Sequence, residues 1–198
     1  MKLKRALLRK ASAAVPAHTL LAYLFLSEAP AVLLLFFGAL VWHEWGHLCA
    51  FLFLGHPVPA LSLTGAGMRL SSPLPLLPRE ELWIALAGPL FNLFAAIFAL
   101  RFGGGGFAFS FAAVHLLFAL GNLLPFGKSD GERLLSLFLF RLFPHRARAL
   151  LDFFRAFFLA ILFFCSLFLY YLQGSGLCGV IFSLFFLFES KNGETNDF

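Results

Sequence analysis

Charge is what this sequence has least of. Only 13% of its 198 residues are charged, ten are acidic, and 61% are apolar. An ordinary soluble domain carries about 25% charged residues. So few charges cannot clothe a surface in water, which excludes a soluble domain. The mean hydropathy of +0.88 points to lipid as the main solvent. Cysteine is also scarce. Cys49, Cys165 and Cys178 lie in apolar stretches without paired spacing, which excludes a disulfide framework or a zinc knuckle. Tyr and Trp number three each against 29 Phe, a bias that suits lipid-facing bulk. There is no internal repeat beyond it.

The net charge of +5 looks at first like a nucleic-acid signature. Position argues otherwise. Lys2, Lys4, Arg5, Arg9 and Lys10 precede the first apolar run, and Lys128, Arg133, Arg141, Arg146 and Arg148 cluster between later ones. Short basic loops beside membrane spans follow the positive-inside rule, so no nucleic-acid partner is expected. The basic start reads as an inside anchor rather than a cleaved signal, because a second apolar run follows at once.

A spanning helix needs about 20 apolar residues. Six stretches qualify by composition: 11–27, 31–54, 82–100, 107–126, 150–172 and a short one at 177–188. Gly103 to Gly106 reads as a four-glycine linker, the stretch after 126 as polar and broken, and 190–198 as a polar tail. The expected fold is an all-α polytopic membrane protein of about six transmembrane helices. Residues 1–189 form one integral membrane domain with a catalytic core near 30–140. With the N-terminus cytoplasmic, six spans return the C-terminus to the same side, and only Arg101 of the 15 basic residues faces outside. The expected location is the cell membrane, multi-pass. Residues 55–81 carry five prolines. Leu61 and Leu63, then Met68 and Leu70, alternate with small or polar residues around Gly65 and Gly67. A short β-hairpin at the inner membrane surface and an irregular Pro-rich loop are equally compatible with that pattern.

The second span contains His43-Glu44-Trp45-Gly46-His47. Residues four apart share a helix face, so His43 and His47 can present both imidazoles to one ion. Glu44 is placed to take a proton from water activated by that ion. A glutamate at membrane depth is costly and therefore a functional candidate; the alternative is polar residues satisfying neighbouring helices. A catalytic zinc takes three protein ligands. The third can come from Asp130, Glu132, Asp152, His56 or His115. Depth favours Asp130. His47 lies about 12 Å along its helix from the inner end at Gly55, and Asp130 follows the inner end of the fourth span, where Pro125 and Gly127 break the helix. Glu132 is the nearest rival. Asp152 is expected to pair with Arg148 or Arg155 one turn away. His115, in the outer half of its span, reads as structural, and His56 as a supporting donor or a loop residue.

These motifs occur in an order that resembles the site-2 protease family of intramembrane zinc metalloproteases. The family pattern is H-E-x-x-H in one helix, G-P-x-x-N in the next, and N-x-x-P followed by D-G in a third. Here they are His43 to His47, Gly88-Pro89-Leu90-Phe91-Asn92, and Asn122-x-x-Pro125 with Asp130-Gly131. The resemblance implies one zinc ion held by His43, His47 and Asp130, with Glu44 as catalytic base. It places Asn92 and Asn122 near the active site as substrate-binding or supporting residues. Two positions depart from the pattern. Ser129-Asp130-Gly131-Glu132 stands where the family has L-D-G-G, and Trp45 replaces a smaller residue. The layout and size are similar to the bacterial stage IV sporulation branch, whose members cleave a membrane-associated sigma-factor precursor.

The implied activity is metalloendopeptidase action on a membrane-embedded or membrane-tethered protein near the cytoplasmic face. The bilayer and a regulatory membrane protein are the other expected partners. The alternative is a catalytically inactive zinc-binding scaffold of the same fold. A metal transporter would need ionisable residues along several spans, and the first, fifth and sixth are apolar through their centres.

Overall fold

The computed structural model describes residues 30–57, 60–64, 67–71, 75–125 and 129–173. Its elements are α1 (Pro30–Phe53), β1 (Ala60–Thr64), β2 (Gly67–Ser71), α2 (Pro78–Phe102), α3 (Gly105–Leu123), α4 (Asp130–Leu142) and α5 (Ala147–Gln173). By length and composition α1, α2, α3 and α5 can each cross a membrane, with mean hydropathies of 1.4, 2.0, 1.6 and 2.2 over 18 residues. They correspond to the second through fifth expected spans. The first and sixth, with the polar tail, lie outside the described residues. At most 33% of any of these four stretches is buried within the protein. Phe94, Phe98, Phe102, Phe107 and Phe164 are all exposed. Apolar surface on this scale belongs against lipid.

What is buried runs in stripes. On α1 the buried residues include Ala39, His43, His47 and Phe51, each four after the last. On α2 they include Ile84, Gly88 and Asn92 at the same interval, joined by Ala95 and Ala96. Such i+4 rows are the ridges by which helices interlock. α2 is the central element, packing against α1, α3 and α4. Ala112, His115 and Ala119 form the buried face of α3. Small side chains dominate these stripes, as expected where lipid offers no hydrophobic drive and helices gain by close approach.

Local sequence explains the ends. Pro78 opens α2, where its missing N–H costs nothing. Glu80 Oε2 accepts the Leu77 N–H at 2.8 Å, satisfying a donor the helix leaves open. Pro125 disfavours helical geometry at the residue before it, and Leu124 is extended, so α3 stops at Leu123. β1 and β2 pair antiparallel, with Leu61 opposite Leu70 and Leu63 opposite Met68.

Two features differ from the sequence reading. Gly105 and Gly106 belong to α3, with Gly105 at φ +75°, so the four-glycine linker shrinks to Gly103 and Gly104. More importantly, the polar stretch after the fourth span contains a helix. α4 has 13 residues, about 20 Å, too short for a hydrocarbon core of about 30 Å. Its charged residues at both ends lower its hydropathy, so it carries no long apolar run. Ser129 starts it: Oγ accepts the Glu132 N–H at 3.1 Å and donates to Leu124 O at 2.6 Å. Charge pins it in place. Arg155 of α5 donates to both Glu132 oxygens, Nη2 to Oε1 at 2.8 Å and Nε to Oε2 at 3.2 Å. Arg133 Nε reaches Glu81 Oε1 of α2 at 3.2 Å.

The cap gives a direct expectation. Ser129→Ala should lower stability by about 1 kcal/mol, with Ser129→Asp retaining most of it. Thermal unfolding in detergent micelles measures this; an unchanged midpoint for the alanine variant would argue against the cap.

Candidate metal centre

His43 and His47 stand one turn apart on the buried stripe of α1, and Asp130 is the first residue of α4. Their donor atoms meet. His43 Nε2 lies 2.9 Å and His47 Nε2 3.2 Å from Asp130 Oδ2, and the two Nε2 atoms are 3.1 Å apart. Ligands at about 2.0–2.1 Å from a tetrahedral zinc are separated by about 3.3 Å. Two imidazole nitrogens and one carboxylate oxygen at these spacings fit a first-row divalent ion. Among the described residues this is the group of His, Cys, Asp and Glu side chains that could hold one. Burial alone would push the Asp130 carboxyl up. Hydrogen bonds with His43 and His47 outweigh it and hold the group at about 2, so it is an anion near neutral pH.

The imidazoles are held from behind. His47 Nδ1 is 2.7 Å from the Ile84 carbonyl of α2, so Nδ1 carries the proton and Nε2 is free to ligate. Pro89, inside α2, supplies no N–H to the neighbouring Ala85 carbonyl. His43 Nδ1 meets the Asn92 side-chain amide at 3.2 Å. Ile84 and Asn92 thus sit one turn either side of Gly88 and brace the two histidines.

Gly88 itself is the close approach. A Cβ there would strike His47 Nε2 and lie 2.6 Å from His43 Nε2. The other motif glycines also stand at contacts. A Cβ on Gly46 would come within 2.7 Å of Ala87 O, and one on Gly131 would collide with the Leu123 backbone. The Gly131 contact brings the start of α4, and so Asp130, against the end of α3.

Asn92 comes to the cluster and is fully buried there, whereas Asn122 bonds its own helix, Nδ2 donating to Phe118 O at 3.1 Å. Glu44, half-buried, follows His43 on α1. Glu132 is engaged by Arg155, which also holds Asp152 at 3.1 Å. Neither carboxylate belongs to the donor group. His56 Nε2 lies 3.2 Å from Glu80 Oε2, at the α1–α2 end of the bundle. His115 is buried near the middle of α3, and its Nδ1 meets Asn92 Oδ1 at 2.8 Å.

No family model matches the chain, and no curated protein does. Among solved structures it is similar to the Site-2 Protease from Methanocaldococcus jannaschii. The identity is 19% and the TM-score 0.59, over 92% of this chain and 87% of that one. The chain has the fold of a site-2 protease. At this identity the likeness speaks to fold, and the chemistry has to come from the residues. The departures from the site-2 protease pattern have local reasons. Ser129 caps α4, Glu132 anchors it to α5, and Trp45, 55% exposed, lies half a helical turn away from the His43–His47 face.

The Gly88 contact predicts a selective defect. Gly88→Ala should sharply reduce bound metal while helical circular dichroism is retained. Gly38→Ala, where a Cβ meets nothing within 4 Å, should bind as wild type. Equal metal content in all three proteins would show that the contact is not limiting.

Proposed function

We propose that this protein is an intramembrane metalloprotease of the site-2 type. It would hydrolyse a peptide bond of a membrane-embedded or membrane-tethered protein near the cytoplasmic face. The observation that carries the reading is the convergence of His43, His47 and Asp130 within a bundle of apolar helices, with their donor atoms all within 4.8 Å. The ion is proposed to be zinc, which when bound supplies Lewis acidity toward water and toward a peptide carbonyl.

The protein's own part follows from placement. His43, His47 and Asp130 hold the ion, with Ile84 and Asn92 fixing the two imidazoles. Glu44 takes a proton from water and returns it to the leaving amine. His47 lies six residues before the end of α1 at Phe53, about 9 Å along the axis. Water therefore reaches the site from the nearer, cytoplasmic end. A helical substrate hides its carbonyls in hydrogen bonds and must unwind to react. The edge of the β1–β2 pair is suited to hold an unwound segment by strand addition. Asn122, at the last turn of α3 beside the break at Pro125, is the proposed support on the substrate side. Six spans, cytoplasmic termini, a regulatory membrane partner and kinship with the sporulation branch complete the proposal.

Three variants test it with a tethered substrate in proteoliposomes. Glu44→Gln should keep its metal and lose at least about 100-fold in cleavage rate, the usual worth of a general base. His43→Ala and Asp130→Ala should lose metal and cleavage together. Full cleavage by Glu44→Gln would sink the mechanism, and wild type that binds metal without cleaving any tethered substrate would favour the scaffold. For the strand edge, Leu63→Pro should impair cleavage with metal retained; unchanged cleavage would count against strand addition.

A further inference from the structure

Three buried side chains from three helices form a hydrogen-bonded line that ends on a ligand. His115 Nδ1 of α3 is 2.8 Å from Asn92 Oδ1 of α2, and the Asn92 amide nitrogen is 3.2 Å from His43 Nδ1 of α1. His43 Nε2 then faces Asp130 Oδ2 at 2.9 Å. Exposure is 2% at His115, 0% at Asn92 and 3% at His43. Phe111, one turn before His115, lies against the His115 ring with centroids 4.2 Å apart, which restricts how that ring can turn.

We infer that His115 is a positioning residue for the metal centre: because it can accept from Asn92 as well as donate to it, it lets Asn92 hold His43 with the proton on Nδ1, and so affects how tightly the centre holds its ion. The inference rests on the metal-site reading above.

The reason lies in donor and acceptor inventory. In this arrangement the Asn92 amide nitrogen donates to His43 Nδ1, which leaves the His43 proton on Nε2, facing Asp130. To ligate through Nε2, His43 must carry its proton on Nδ1 and needs an acceptor there. Asn92 supplies one by turning its amide end for end, which presents Oδ1 to His43 and Nδ2 to His115. His115 must then accept where it had donated. A neutral imidazole does either, depending on tautomer, and no charge changes anywhere along the line. A partner able only to donate, or only to accept, would favour one of the two states. An apolar partner would leave one Asn92 atom unsatisfied in a site where lipid and packed helices offer no substitute.

The test is zinc affinity of the full-length protein in micelles, measured by chelator competition, with the visible spectrum of the cobalt-substituted form as a second readout. His115→Phe keeps the ring and removes the partner; it should weaken zinc binding about 10- to 100-fold, the usual effect of losing a residue that orients a ligand. His115→Asn places an amide where Nδ1 was and should restore most of that loss. Asn92→Leu should match His115→Phe, and the double variant should be no weaker than Asn92→Leu alone, since His115 acts through Asn92. This comparison stands even if His115→Phe folds poorly, because Asn92→Leu can be combined with His115→Asn, which should then rescue nothing. Unchanged affinity in His115→Phe, equal weakness in His115→Asn, or additive losses would each overturn the inference while leaving the metal site intact. Wild type that binds no zinc would overturn the metal-site reading and this inference with it.

Discussion

Lipid offers no hydrogen bonds, so each polar atom these helices bury has to be answered by a neighbouring helix. The polar residues of this protein are few, and among the described residues five of the six buried ones, His43, His47, Asn92, His115 and Asp130, join in one cluster. His43 and His47 are answered by Asp130, by the Ile84 carbonyl and by Asn92, and Asn92 in turn by His115. Four helices contribute to that one network. The rest of the architecture can be read as what is needed to bring them close enough.

Closeness is achieved by omission. α1 and α2 approach where Gly46 and Gly88 lack a side chain, and α4 abuts α3 where Gly131 does. The buried stripes around them are rich in alanine. This economy places a carboxylate from a separate, short helix between two histidines of a spanning one. α4 is held for that task by the Ser129 cap and by ion pairs reaching α5 and α2. The charges of Glu132 and Arg133 are therefore structural anchors flanking a ligand, which accounts for a glutamate where the family pattern has glycine.

Much of the site was legible because it is local. A four-residue interval on a helix puts His43 and His47 on one face whatever the surroundings. Four spans were legible too, since about 20 apolar residues in a row leave little choice of structure. α4 was not, because its signal is a one-sided pattern over 13 residues rather than a long apolar run. From the residues alone the third ligand was a short set of rivals in which depth favoured Asp130, and the family resemblance named it. Depth sets Asp130 apart from the distant rivals, but Glu132 is only two positions further on and lies at nearly the same depth. Their partners separate the two: Glu132 is turned to Arg155, while Asp130 meets the histidines.

Composition and motif spacing thus determined the solvent, the spans and the pair of histidines, because each depends on residues near one another along the chain. The tertiary structure decided which carboxylate joins them, and that Asn92 and His115 stand behind His43. Those contacts join positions 23 to 87 residues apart. They exist only once α2 brings α1, α3 and α4 together, and no local rule of helix periodicity fixes which faces then meet.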